Sequence, residues 1–241
     1  MTTTGTTAFN LDLNDLIEEA FERCGSEVRS GYDFRTARRS LNLLTIEWAN
    51  RGINLWTIEQ GEIPMVTGQA TYDLPVNTID LLDQVIRTGS GSASNQVDIN
   101  INRISESTYS TIPNKLAVGR PIQVWVNRQS GATTPTGINY PQINVWPTPN
   151  DPGSQYRFVY WRLRRINDVG DGVNTQDIPF RFLNCMVAGL AYYLSMKIPN
   201  VPMERVMGLK TDYEQQFQLA ADEDREKAAI RFVPRNMSYT R

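Results

Sequence analysis

The chain has 241 residues, 40% apolar and 21% charged, proportions that suit a folded globular protein of one large domain or two small ones. Its 24 Lys and Arg against 26 Asp and Glu leave a formal charge of −2, which argues against tight, general nucleic-acid binding. Histidine is absent, which removes the commonest general base and the commonest metal ligand together.

The opening MTTTGTTAFN lacks the basic start and apolar run of a signal peptide, so a reducing cytoplasm is the expected place of synthesis. Leu13, Leu16, Ile17, Ala20, Phe21 and Cys24 then mark an amphipathic helix of about three turns, with Gly25 as its stop. A second helix is expected from Asp33, read as its N-cap, through Phe34, Ala37, Leu41, Leu44 and Trp48 to a stop at Gly52.

From Leu55 to Arg165 the texture changes to strands and turns. Glu62–Val66, Thr67-Gly68-Gln69 and Ala70–Leu74 read as a hairpin, and Leu81–Thr88 as a strand. The run 89–95 (GSGSASN) reads as a loop, Val97–Ile101 as a strand and Ser105 as the cap of a short helix. Ile122–Asn127, Gln142–Trp146 and Tyr156–Arg165 complete an expected antiparallel sheet, part of a sandwich or meander. The loop at 129–141 is too long for a tight hairpin and is expected to project or to meet a partner.

Pro179–Lys197 is the most apolar run, uncharged from Phe182 to Met196 and apolar on both helical faces. Such a helix must be buried on several sides. It is shorter than the roughly 20 residues that cross a bilayer, so a core helix and no membrane span are expected. Pro202 begins a last helix with a stripe of Val206, Leu209, Tyr213, Phe217 and Ala220; beyond it, 230–241 reads as an extended tail. The fold class expected is α+β: a four-helix bundle from 11–54 and 178–229, an inserted antiparallel β domain at 55–177 and the C-terminal tail at 230–241.

The residues argue for partners over catalysis. No phosphate loop follows Gly89-Ser90-Gly91, and no G-x-S-x-G elbow or His-based pair is present. Cys24 and Cys185 read as buried reduced thiols, and Asp222-Glu223-Asp224 as a solvated helix face; no cofactor and no metal site are expected. Carboxylate pairs for glycoside cleavage, such as Glu18 with Glu47 or Glu59 with Glu62, stay formally open. Arg157, Arg162, Arg164 and Arg165 interleave with Tyr156, Phe158, Tyr160 and Trp161, as a base-stacking surface would. The alternation instead fits a strand buried on both sides, with its arginines in salt bridges.

Three stretches in order resemble one family: LNLLTIEWANRGINLWTIEQGE near the start, GRPIQVWVN–loop–QINVWPTP in the middle, and YRFVYWRLRRINDVGD followed by D-I-P-x-x-F, Asp177 to Phe182, before the apolar helix. Together they are similar to the head-to-tail adaptors (connectors) of tailed double-stranded DNA bacteriophages, the group of the tail accessory factor and tail tubular protein A. The resemblance spans residues 11–234. It implies a non-enzymatic structural virion protein at the head–tail junction, forming a ring of twelve copies that joins the portal protein to a distal tail protein (nozzle or tail tube). Genomic DNA would pass through its channel without sequence-specific binding, for retention and ejection. On that footing Ile230, Phe232, Pro234, Tyr239 and Arg241 are expected at the portal, and Gly91, Asn95, Arg128, Gln129, Thr134 and Tyr140 at a neighbour or the tail. A virion-associated peptidoglycan hydrolase is the enzymatic alternative, and a DNA-binding protein a third.

Overall fold

The structure is a computed structural model and describes residues 4–7, 9–52, 55–89, 91–128, 133–134, 137–150, 156–171 and 173–224. It is mixed α+β and divides into two compact units. One holds the residues up to Leu44 and from Pro179 on, and the other spans Thr45–Ile178.

The helical unit is built around a short apolar helix. Five α-helices occur among the described residues: α1 Leu13–Cys24, α2 Gly31–Asn50, α3 Glu106–Ser110, α4 Leu183–Ser195 and α5 Met203–Glu223. A 3-10 turn at Phe180–Phe182, entered from Pro179, leads into α4. In α4 ten residues are buried, including Met186, Val187, Leu190 and Leu194, and the helix packs against α1 and α5 on different sides. Each fully buried Leu or Met contributes roughly 1.5–3 kcal/mol relative to exposure. Gly189 sits where a side chain would not fit: a Cβ there would lie 2.9 Å from Leu44 Cδ1 and Tyr213 Cε2. Small size at that point lets α4 meet neighbours on both flanks.

Capping explains where the helices begin and end. Asp12 Oδ1 accepts from the Asp15 N–H at 2.9 Å, and Gly25, at φ 77°, closes α1 with its N–H on Glu22 O while the Ser26 N–H reaches Phe21 O. For α2 the expected cap at Asp33 is displaced. The helix begins at Gly31, and the Asp33 carboxylate reaches back to the Arg29 and Ser30 N–H groups at 3.1 and 3.0 Å, while Ser30 Oγ accepts weakly from the Asp33 N–H at 3.4 Å. That is a reciprocal capping box, in which Asp33 is the third helical residue and Ser30 the cap.

The second unit is a sandwich. Its strands are β1 Ile58–Pro64, β2 Thr71–Asp73, β3 Thr78–Thr88, β4 Val97–Asn100, β5 Asn102–Ile104, β6 Val118–Gly119, β7 Gln123–Asn127, β8 Thr133–Thr134, β9 Gly137–Ile138, β10 Gln142–Trp146, β11 Thr148–Pro149 and β12 Arg157–Arg164. One four-stranded sheet runs β1-β12-β3-β4 and the other β2-β10-β7-β5. Leu81, Ile86, Phe158 and Tyr160 from the first sheet meet Tyr72, Val124, Val126, Ile143 and Val145 from the second in one shared core. The alternation along β7, with Val124 and Val126 buried between half-exposed neighbours, is what one buried face produces.

Two expectations fail here. Glu62–Val66 and Ala70–Leu74 do not form a hairpin: β1 pairs with β12, Glu62 opposite Val159, while β2 pairs with β10, Tyr72 opposite Ile143. The chain crosses between sheets at this turn, and Tyr72 Oη holds it, accepting from the Val66 N–H at 2.9 Å and donating to Val66 O at 3.1 Å. The sheets are antiparallel as expected, apart from two pairings, β5 parallel to β7 and β6 parallel to β11. The expected sequence-neighbour sheet is likewise split, with β7 and β10 in one sheet and β12 in the other.

Candidate protein-interaction surfaces

The arginines of β12 are consumed by structure. Arg162 Nη2 donates to Glu59 Oε2 at 2.8 Å and its Nη1 to Asn77 Oδ1 and Thr78 Oγ1 at 2.7 and 2.9 Å. Arg164 donates to Glu59 Oε1 at 2.6 Å and grips Asp177 with both terminal nitrogens, at 2.5 and 3.0 Å. Both guanidinium side chains are only 11–12% exposed. Phosphate contact needs free, accessible cations, and of the four arginines only Arg165 is mostly exposed, at 59%, so the stacking surface that the arginine–aromatic pattern suggests is not formed here.

Three of the four candidate carboxylates fare similarly, and Glu18 lies exposed on α1. Burial tends to raise the pKa of Glu59, but hydrogen bonds from Arg164 and Arg162 outweigh it and hold the carboxyl below its ordinary value. A glycosidic acid needs the opposite shift. Glu62 is bound by Arg157 at 2.5 Å, and Glu47 by Arg51 at 2.5 Å one turn on. Asp224 is held by Arg181, and Asp222 accepts from Gln218 at 3.1 Å. No group of three metal-ligating side chains occurs among the described residues. The two cysteines are free and buried; Cys24 is pushed up to about 11 by burial, against the opposing charge of Arg205, and donates to Ala191 O at 3.1 Å.

One polar pair escaped the sequence reading. Lys197 Nζ donates to Ser40 Oγ at 2.7 Å, beside a cleft of about 890 Å³ between the start of α2 and the end of α4. The spacing resembles a nucleophile–base pair. Ser40 is fully buried, however, and its own proton goes to Thr36 O at 2.9 Å, so the hydroxyl is turned away from any substrate. No local sequence pattern links residues 157 positions apart.

The expected contact residues lie on hairpin ends. Gly91 (φ 85°) and Asn95 belong to the turn joining β3 to β4, and both are exposed. Arg128 follows β7, is 60% exposed and reaches Asp80 Oδ2 at 3.2 Å; Tyr140, before β10, is 43% exposed. Thr134 lies in β8, paired with Gly137 of β9. Arg128 and the Gly91–Asn95 turn are not brought together. Arg128 meets β3 near its start, at Asp80, whereas the other loop follows its end, Thr88; eight extended residues separate them by about 26 Å. Gln129 and the expected portal residues Ile230, Phe232, Pro234, Tyr239 and Arg241 lie outside the described residues.

The surface therefore offers projecting loops and no assembled catalytic group among the described residues. A family model for the SU10 adaptor protein matches residues 11–237. The chain belongs to the SU10 adaptor protein family. Membership covers both units of the structure and agrees with the phage adaptor resemblance, at the level of the adaptor family and not of the tail tubular protein A group. SU10 adaptor proteins are structural proteins, and as one of them this chain is a virion component whose business is contact with other virion proteins. No curated protein matches the chain. No helix among the described residues of this SU10 adaptor is long and apolar enough to cross a membrane.

Proposed function

We propose that the protein is the head-to-tail adaptor of a tailed double-stranded DNA phage. In this reading twelve copies close into a ring at the head–tail junction, joining the portal protein to the distal tail protein and extending the channel through which genomic DNA is retained and ejected. The observation that carries it is the adaptor family match over residues 11–237, which takes in both units. The helical parts, 11–54 and 178–229, act as one four-helix bundle, and the β-rich insertion, 55–177, presents loops outward.

The physical logic is that of a heterologous contact. One patch binds a different patch on the next copy, and rotational closure yields a ring with no free ends. The mildly acidic whole, at −2, suits a channel that lets DNA slide. Residues 230–241, with Ile230, Phe232, Pro234, Tyr239 and Arg241, reach the portal. The 89–95 loop (Gly91, Asn95) and the 129–141 loop with the residue before it (Arg128, Gln129, Thr134, Tyr140) serve different partners, as the places of Arg128 and of the 89–95 turn at opposite ends of β3 favour. One set meets a neighbouring copy and the other the tail.

The test is the mass of the portal ring with and without this protein. At 27.4 kDa per chain, twelve copies add about 330 kDa, and that discrete gain is expected. A portal ring of unchanged mass beside monomeric protein would overturn the reading and make peptidoglycan hydrolysis the next assay.

A further inference from the structure

The chain's charge is unevenly spread along its length. Residues 225–241 carry five basic side chains and one acidic, with Ile230, Phe232 and Tyr239 among them, although the whole chain is net negative. On the helical unit, a groove of about 460 Å³ runs between α1 and α4. Its apolar side includes Leu11, Leu183 and Val187, with Phe9 76% exposed at the edge. Its other side is α1, where Asp15, Glu18 and Glu22 recur at i, i+3 and i+7, all exposed and with no ion pair among the described residues. Like charges at this spacing repel along a helix. Their neighbour Glu19 is matched by Arg23, which also reaches Asp212; the other three carboxylates have no cation among the described residues.

The geometry at the end of α5 supplies one. Asp224, the last described residue, is hydrogen-bonded by Arg181, two residues before Leu183 in the groove wall. Arg181 therefore ties the C-terminal end of α5 to the N-terminal end of α4, where the groove wall begins. Seventeen residues extend up to about 56 Å, against a length of about 18 Å for α1.

We propose that residues 225–241 dock back into the α1–α4 groove of their own chain, setting Arg231 and Arg235 against Glu18 and Glu22 and covering Phe232 against the apolar wall. The contact competes with any outside partner of the same segment. If that segment reaches the portal, as read above, the cis contact holds it covered until the portal draws it away; that consequence rests on the adaptor reading, while the docking itself does not.

The experiment is hydrogen exchange by mass spectrometry on the full chain. At about 50 mM salt, amides of 225–241 should exchange about fivefold more slowly than in the Glu18→Lys/Glu22→Lys protein, and the difference should shrink at 0.5 M salt. Arg231→Glu/Arg235→Glu should lose the same protection. Combining all four changes should restore it, which a misfolded variant would not do. Equal exchange in the wild type and the Glu18→Lys/Glu22→Lys protein would overturn the proposal. So would protection that rises with protein concentration, since it assigns the groove to a second copy's segment. Portal capture by the Glu18→Lys/Glu22→Lys protein separates the two readings: docking lost with capture intact or improved is the expected result, and failure of capture alone speaks only to the adaptor reading.

Discussion

Arg164 and Asp177 are joined by two hydrogen bonds, Nη1 to Oδ2 at 2.5 Å and Nη2 to Oδ1 at 3.0 Å, and this pair fastens the loop after β12 onto the sandwich. Asp177 Oδ2 also accepts from the Asn167 N–H at 2.9 Å, and its carbonyl accepts from Trp56 Nε1 at 3.0 Å. Removing one partner leaves the other half-buried charge without its match. Arg164→Ala should therefore destabilise the protein by about 2–3 kcal/mol, and Arg164→Lys by less but measurably, because an ammonium cannot make the paired contact. Urea unfolding of the three proteins checks the order.

The same network sets a pH dependence. Burial tends to raise the Asp177 pKa, but the bonds from Arg164 and the Asn167 N–H prevail and leave it below the ordinary value, as the arginines do for Glu59. A depressed folded pKa means that the unfolded chain binds protons first as acid is added. The contribution is complete above the unfolded carboxylate values, about 4, and is lost as pH falls through the lower folded ones. Thermal unfolding should show a plateau above about pH 5 and a decline below pH 4. In Asp177→Asn the plateau should be lower and the decline shallower.

Gly189 has no room for a methyl group. A Cβ there meets Leu44 and Tyr213 at 2.9 Å, and both are buried on other helices. Gly189→Ala should cost about 1–3 kcal/mol through overpacking, outweighing the roughly 1 kcal/mol that alanine returns in helix propensity. The exposed Gly208 of α5, where a Cβ meets nothing within 4 Å, is the control. Gly208→Ala should stabilise, and denaturant midpoints distinguish the two signs.

Neither thiol should react in the folded state. Cys24 and Cys185 are 2% and 1% exposed, and burial pushes Cys24 up to about 11, so almost none of Cys24 is thiolate at pH 8. Ellman-type titration should find about zero thiols in the native protein and two after denaturation. Rapid native labelling would show that α1 or α4 opens locally.

The helices were legible in the sequence down to their stops. Gly25 and Gly52 sit at positive φ where the spacing of α1 and α2 runs out, Ser105 caps α3, and α4 is apolar on both faces because it is buried on both. A helix hydrogen-bonds to itself four residues away, so its limits are written in neighbouring residues. Even the misplaced cap of α2 erred by one helical turn, within the Ser30–Asp33 box. Strand partners were not legible. The turn at Thr67-Gly68 looks like a hairpin, yet β1 chose β12, whose Phe158 lies 95 positions beyond Ile63. A strand leaves its hydrogen bonds open to any other strand, and the choice falls to whichever pairing buries Ile63, Tyr72 and Phe158 in one core. For the same reason only the tertiary structure could spend Arg162 and Arg164 on Glu59 and Asp177, set Arg128 against Asp80 at the far end of β3 from the 89–95 turn, and line one wall of the α1–α4 groove with carboxylates that have no ion pair among the described residues.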